Sequence, residues 1–139
     1  MEKQEIVIDA SVAAKWFLDE QFSDKARLIR DSFILQKLAI SVPSLLFYET
    51  LNALRYTELY DADELAEAAR SLSKYGFNIH EPKGRLYEET ARTSQKYDIS
   101  IYDAAYLALA SHLHTHLYTT DLELIRKAPR YAKHIREMR

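Results

Sequence analysis

Cysteine is absent from this 139-residue chain, and glycine occurs only as Gly76 and Gly84. Without thiols there is no disulfide framework, no thiolate zinc site and no cysteine nucleophile. Neither glycine lies in a GxGxxG or GxxxxGK context, so the backbone cradles that Rossmann and P-loop folds build for phosphates are excluded. Long apolar runs are missing too. The stretch AAYLALA, Ala104 to Ala110, falls far short of the ~20 residues that cross a bilayer, and the start MEKQEIVID carries no signal pattern. These features predict a cytoplasmic protein with no membrane segment. Nor is there an excess of either charge: 19 Lys and Arg against 21 Asp and Glu give a net −2. A nucleic acid or an anionic surface must then be held by a local patch, because the global field offers no pull. What remains is a globular composition, 47% hydrophobic and 29% charged, of a length that predicts one domain over residues 1–139 with a self-sufficient core.

Apolar spacing sets the expected order of elements. Ile6-Val7-Ile8 is a β-branched run suited to a buried strand; it stops at Asp9, and SVAAKWFL continues with helical spacing. Ser23 to Lys37 predicts a second helix capped by Ser23, and Ala39 to Val42 a second strand, with Pro43-Ser44 opening the next helix. That helix, Leu45 to about Thr57, and the segment capped by Asp61 or Asp63 and stopped by Gly76 form a helical hairpin. Phe77 to His80 is a third strand, Arg85 to Tyr97 an amphipathic helix, and Tyr102 to about Thr115 a helix apolar nearly all round. His116 to Thr119, Asp121 to Lys127 and Tyr131 to Ile135 complete the pattern as strand, short helix and edge strand. Short strands alternating with helices predict an α/β fold, a three-layer α/β/α sandwich on a mainly parallel sheet, with the helical hairpin protruding.

Ligands of such sheets gather at the carboxyl ends of the strands, and four acids fall there. Asp9 ends the first strand, Asp121 follows the LYTT strand, Asp103 begins the apolar helix, and Glu49 lies one turn into the helix after the second strand. On the helical wheel Glu49, Asn52 and Tyr56 share one side, opposite Phe47, Leu51 and Leu54. Taken singly, each Asp reads equally as a helix cap and Glu49 as a solvated side chain. Taken together, carboxylates this close raise one another's pKa unless a cation intervenes. All-oxygen donors with no Cys or His select Mg²⁺ or Mn²⁺, and one or two such ions suit phosphodiester hydrolysis.

The segments IVIDASVAAKWFLDE, VPSLLFYETLNALR, ISIYDAAYLALA and LYTTD, taken in this order over residues 6 to about 125, strongly resemble the PIN-domain family and, within it, the VapC-type toxins of toxin–antitoxin pairs. The resemblance implies a metal-dependent endoribonuclease holding Mg²⁺ or Mn²⁺, with Asp9, Glu49, Asp103 and Asp121 matching the four acids. It implies supporting roles for Ser11, Asn52 and Thr119, a VapB-type antitoxin whose Arg-bearing tail enters the pocket, and an RNA substrate. A homodimer through the Glu49 helix and its hairpin partner is implied as well, with Tyr56, Leu59 and Tyr60 as contacts.

Other features weigh less. His112, His114 and His116 diverge on a helix and do not read as a metal site. Tyr48, Tyr56, Tyr102 and Tyr106 are expected in packing or at a dimer seam, and Glu123 as a solvated fifth carboxylate. Arg126, Lys127, Arg130, Lys133, Arg136 and Arg139 form a basic C-terminal stretch able to follow an RNA backbone, and Lys15 stands where it could approach a phosphate. Two alternatives stay open: a phosphoacceptor receiver-like domain, although no acidic pair follows the first strand and Thr119-Thr120-Asp121 stands where a lysine is wanted, and a non-catalytic partner-binding module. A DxDxT phosphatase is excluded by DASVA.

Overall fold

The structure, a computed structural model, describes residues 3–138. Five strands lie in one sheet: β1 (Gln4–Ile8), β2 (Leu38–Pro43), β3 (Asn78–His80), β4 (Leu117–Thr119) and β5 (Ala132–His134). Their order is β3, β2, β1, β4, β5, and every pairing is parallel. Ile6, Val7 and Ile8 are wholly buried, as an unbroken β-branched run is when helices cover both faces of its strand.

The helices are α1 (Ala10–Ala13), extended by a 3-10 turn at Ala14–Trp16, then α2 (Ser23–Ile34), α3 (Leu46–Tyr56), α4 (Ala62–Ser73), α5 (Gly84–Tyr97), α6 (Ile101–His112) and α7 (Leu122–Lys127). From β1 the chain steps to β2 and then β3 on one side; from β3 it crosses back beyond β1 to β4 and β5. Right-handed crossovers therefore place α1 to α4 over one face and α5 to α7 over the other. The packing agrees: α6 lies on β1, β2 and β4, while α2 packs on β2, and α3 packs on both α1 and α4. Between β1 and β4 the chain leaves in opposite directions, which opens a crevice at the carboxyl edge of the sheet. The expected α/β/α sandwich and its helical hairpin, α3 with α4, are both present.

Several local expectations are corrected. Ser23 does not cap α2: Phe22 takes the N-cap position with left-handed backbone (φ 68°). The Ser23 hydroxyl serves the preceding loop instead, donating to the Leu18 carbonyl (2.7 Å) and accepting from the Glu20 N–H (3.0 Å). Pro43 ends β2 rather than opening α3. At the last strand position a proline forfeits only one ladder donor, and the next residue supplies one, Ser44 N–H bonding to the His80 carbonyl (3.1 Å). Leu54 is buried as expected, but it shares the fully buried face of α3 with Leu46 and Thr50, while Phe47 and Leu51 are only partly buried. Of the four tyrosines expected in packing or at a dimer seam, Tyr106 is buried, while Tyr48, Tyr56 and Tyr102 are exposed and do not pack within the chain's core. Gly76 (φ +82°) turns the chain after α4 into β3, where the stop was expected.

Of the two candidate caps for α4, Asp61 is the one used. Its carboxylate accepts from Glu64 N–H (2.8 Å), and the Glu64 side chain accepts from Asp61 N–H (3.0 Å), a reciprocal capping box. Asp61→Ala is expected to cost about 1 kcal/mol in urea unfolding, whereas Asp63→Ala, which removes no cap, stays within about 0.5 kcal/mol. Equal losses in both variants would contradict the assignment.

Candidate active site

Asp9 leaves β1 and caps α1: its Oδ1 accepts from Ser11 N–H (3.1 Å) and from the Ser11 hydroxyl (2.6 Å). The same hydroxyl accepts from Thr120 N–H (3.2 Å), so one serine ties the exit of β1 to the exit of β4. On the other strand the Thr119 hydroxyl accepts from Asp121 N–H (3.1 Å) and stands near enough to Asp9 to favour its charged form. Asp121 caps α7 through its Oδ1, which accepts from Leu124 N–H (3.1 Å). Asp103 is in the first turn of α6, where Ser100 is the cap. Glu49 is in the first turn of α3, half-buried, and its Oε1 accepts from the Tyr106 hydroxyl (2.6 Å).

These elements bring the four predicted acids to one cavity of about 280 Å³, lined by Asp9, Ser11, Glu49, Asn52, Asp103, Tyr106 and Asp121 with Ala10 and Ala53. Burial pushes the Asp9 carboxyl up from 3.8 to about 6, with the charge of Asp103 adding to it and hydrogen bonds from Ser11, Thr119 and Val12 opposing. Burial also raises Glu49, helped by Asp103 and opposed by the Tyr106 hydrogen bond. Asp103 is raised by burial and then by Asp121. Charge repulsion thus links Asp103 to each of the other three acids.

Among the described residues no group of three His, Asp or Glu side chains forms a ready-made metal cage. The oxygen-only donor set and the unrelieved repulsion fit a hard divalent cation.

Not every candidate joins the site. The Lys15 ammonium is buried in an ion pair with Glu20 (2.8 Å) and does not line the cavity. Glu123 pairs with Arg126. Lys127 donates to the Asp98 carbonyl (2.6 Å), and Arg130 lies over the Tyr131 ring; Arg139 is outside the described residues. Tyr60, expected at a dimer seam, donates its hydroxyl to the Phe17 carbonyl within the chain, while Tyr56 and Leu59 are exposed. Tyr106 is the site residue that sequence reasoning assigned only to packing or a dimer seam. Its position one turn after Asp103 was the available signal.

The family model of the PIN domain matches residues 6–129. The chain belongs to the PIN-domain family. No curated protein gives a significant match. Among solved structures, PAE2754 from Pyrobaculum aerophilum is 25% identical, with a TM-score of 0.68 over 97% of this chain and 86% of its own. VapC20 from Mycobacterium tuberculosis, a Sarcin-Ricin loop cleaving toxin, shares this PIN fold at 16% identity and a TM-score of 0.69, over 87% of this chain and 93% of its own. A toxin–antitoxin complex from Klebsiella pneumoniae matches at 16% identity and a TM-score of 0.68, over 94% of this chain and 97% of its own. Among the described residues no helix is long and apolar enough to cross a membrane.

The raised Asp9 carboxyl fixes the sign of a pH effect. Its folded pKa of about 6 exceeds 3.8, so its contribution to stability is full below about pH 4 and lost as pH rises through 6. Asp9→Asn has no proton to lose and gains no buried charge. In EDTA, the stability of this variant relative to wild type is expected to grow by up to about 3 kcal/mol between pH 4 and 7.5. Parallel urea-unfolding curves for the two proteins across that range would refute the shift.

Proposed function

We propose that the chain is a single PIN domain acting as a metal-dependent endoribonuclease, the toxin of a type II toxin–antitoxin pair. The observation that carries this reading is the meeting of Asp9, Glu49, Asp103 and Asp121, from four separate segments, in one cavity at the sheet crevice. Asp9 and Asp103 would hold Mg²⁺ or Mn²⁺ directly, with Glu49 and Asp121 completing the shell or orienting water. A divalent ion bound there would neutralise the acids and supply an activated water and a clamp on the scissile phosphate. Ser11 and Thr119 hold Asp9, and Asn52, which is exposed, lines the same cavity. Cleavage leaves a 5′-phosphate and a 3′-hydroxyl.

The antitoxin is a VapB-type protein whose Arg-bearing segment occludes the acidic cavity by charge complementarity. The likeness to toxin–antitoxin structures supports that partner. A homodimer in the cytoplasm accords with the exposed Tyr56 and Leu59 next to the hairpin, and Arg126, Lys127, Arg130, Lys133 and Arg136 offer a backbone-following surface. No lysine lines the cavity, which removes the cation that a phosphoacceptor receiver needs.

Asp9→Asn and Asp103→Asn are each expected to lower RNA cleavage in Mg²⁺ or Mn²⁺ by more than about 100-fold, since even outer-shell changes at metal sites cost 10–100-fold. Circular dichroism should show both folded. Wild-type rates from the two variants, or undiminished wild-type cleavage in EDTA, would overturn the proposal.

A further inference from the structure

Tyr106 lies on α6, a turn beyond Asp103, and is 2% exposed. A phenol this deep has one proton to give and no bulk water to take it, and an unpaired buried donor is costly. That proton goes to Glu49 Oε1 at 2.6 Å, across from α6 to α3 and 57 positions away in sequence. The bond joins the two flanks of the cavity, because α3 covers one face of the sheet and α6 the other. It engages one oxygen of Glu49 and leaves the second for the cavity.

We propose that Tyr106 is the positioning residue of this site, its hydroxyl holding the Glu49 carboxylate in the orientation that receives a divalent cation or the water bound to it. The inference rests on the nuclease reading above and assigns a new role within it. Glu49 is the one acid of the four whose placement depends on a long side chain: Asp9 and Asp121 are fixed by their own cap hydrogen bonds, and Asp103 is a short side chain next to its helix start. Three rotatable bonds separate the Glu49 carboxylate from α3, so an unbonded Glu49 would sample several rotamers and lose entropy on every binding event.

The test is Mn²⁺ titration by calorimetry of the wild type, Y106F, E49A, the E49A/Y106F double variant and, as a core control on the same helix, L107A. Leu107 is buried in the core and absent from the cavity wall. Positioning predicts that Y106F weakens Mn²⁺ binding about 10–100-fold, that the double variant binds as E49A does, and that L107A loses stability while keeping wild-type affinity. Wild-type affinity in Y106F, an equal further loss on the E49A background, or an equal loss in L107A would each overturn it. Should Y106F fail to fold, the wild type still decides: a slowly exchanging Tyr106 hydroxyl proton in the NMR spectrum, lost in E49A, supports the bond, and rapid exchange overturns it. If the wild type takes up no Mn²⁺ at all, the metal-nuclease reading falls first and this role with it; uptake by the wild type with an unaffected Y106F defeats the positioning role alone.

Discussion

A carboxylate with almost no access to solvent governs the rest of this molecule. Asp9 is 9% exposed, faces the charge of Asp103, and lies where two neighbouring strands send their chains to opposite faces of the sheet. Three devices make its ionised form tolerable. Ser11 supplies an N–H and a hydroxyl to one oxygen, and Thr119 approaches from the adjoining strand. The third is the Val12 N–H, which also favours the charged carboxylate. These devices do not suffice, because Asp9, Glu49 and Asp103 all remain raised. Burial and the remaining repulsion are what a proton relieves at low pH and what a bound divalent cation would relieve at neutral pH.

Stability has to come from regions that carry no such charge. The ring cluster of Trp16, Phe33, Phe47, Tyr75 and Phe77 packs with centroid separations of 4.9 to 6.3 Å, and the Trp16 indole N–H donates to the Ala26 carbonyl (2.8 Å). The fully buried strand residues of β1, with Ile40 and Val42 of β2 and Leu117 of β4, form the sheet's contribution. This division, an apolar interior and a strained polar edge, is common where a site must stay poised for a ligand.

Much of this was legible in the sequence because local chemistry and global fold agree. Ile6 to Ile8 could only be a buried strand, and the switch to helical spacing after Asp9 marked both the crossover and the first acid. The errors have equally local causes. A wheel that counts Thr as polar places the buried face of α3 at Leu51; Thr50 is in fact wholly buried, which rotates that face by about 65° toward Glu49 and leaves Glu49 half-buried rather than solvated. Phe22 in left-handed backbone contradicts the propensity of a bulky residue, so no reading of single positions would choose it over Ser23 as the cap. Tyr106 looked like one apolar residue among many in AAYLALA, since its role depends on a partner 57 positions away.

For Asp9 and Asp121, which cap their helices as Asp103 does not, the cap reading leaves room for the proposed ligand role. In Asp9 and Asp121 the cap hydrogen bonds converge on Oδ1, and a carboxylate has lone pairs on two oxygens. The cap removes the rotational freedom that a free side chain would have to surrender on binding a cation. Holding the acid to the start of its helix therefore prepares it to act as a ligand. The same division holds for Glu49, whose bonded oxygen is Oε1; there the restraint comes from a tyrosine on another helix. A short Asp at a cap and a long Glu tethered from across the cavity are thus two solutions to one requirement, a carboxylate held still with an oxygen left over.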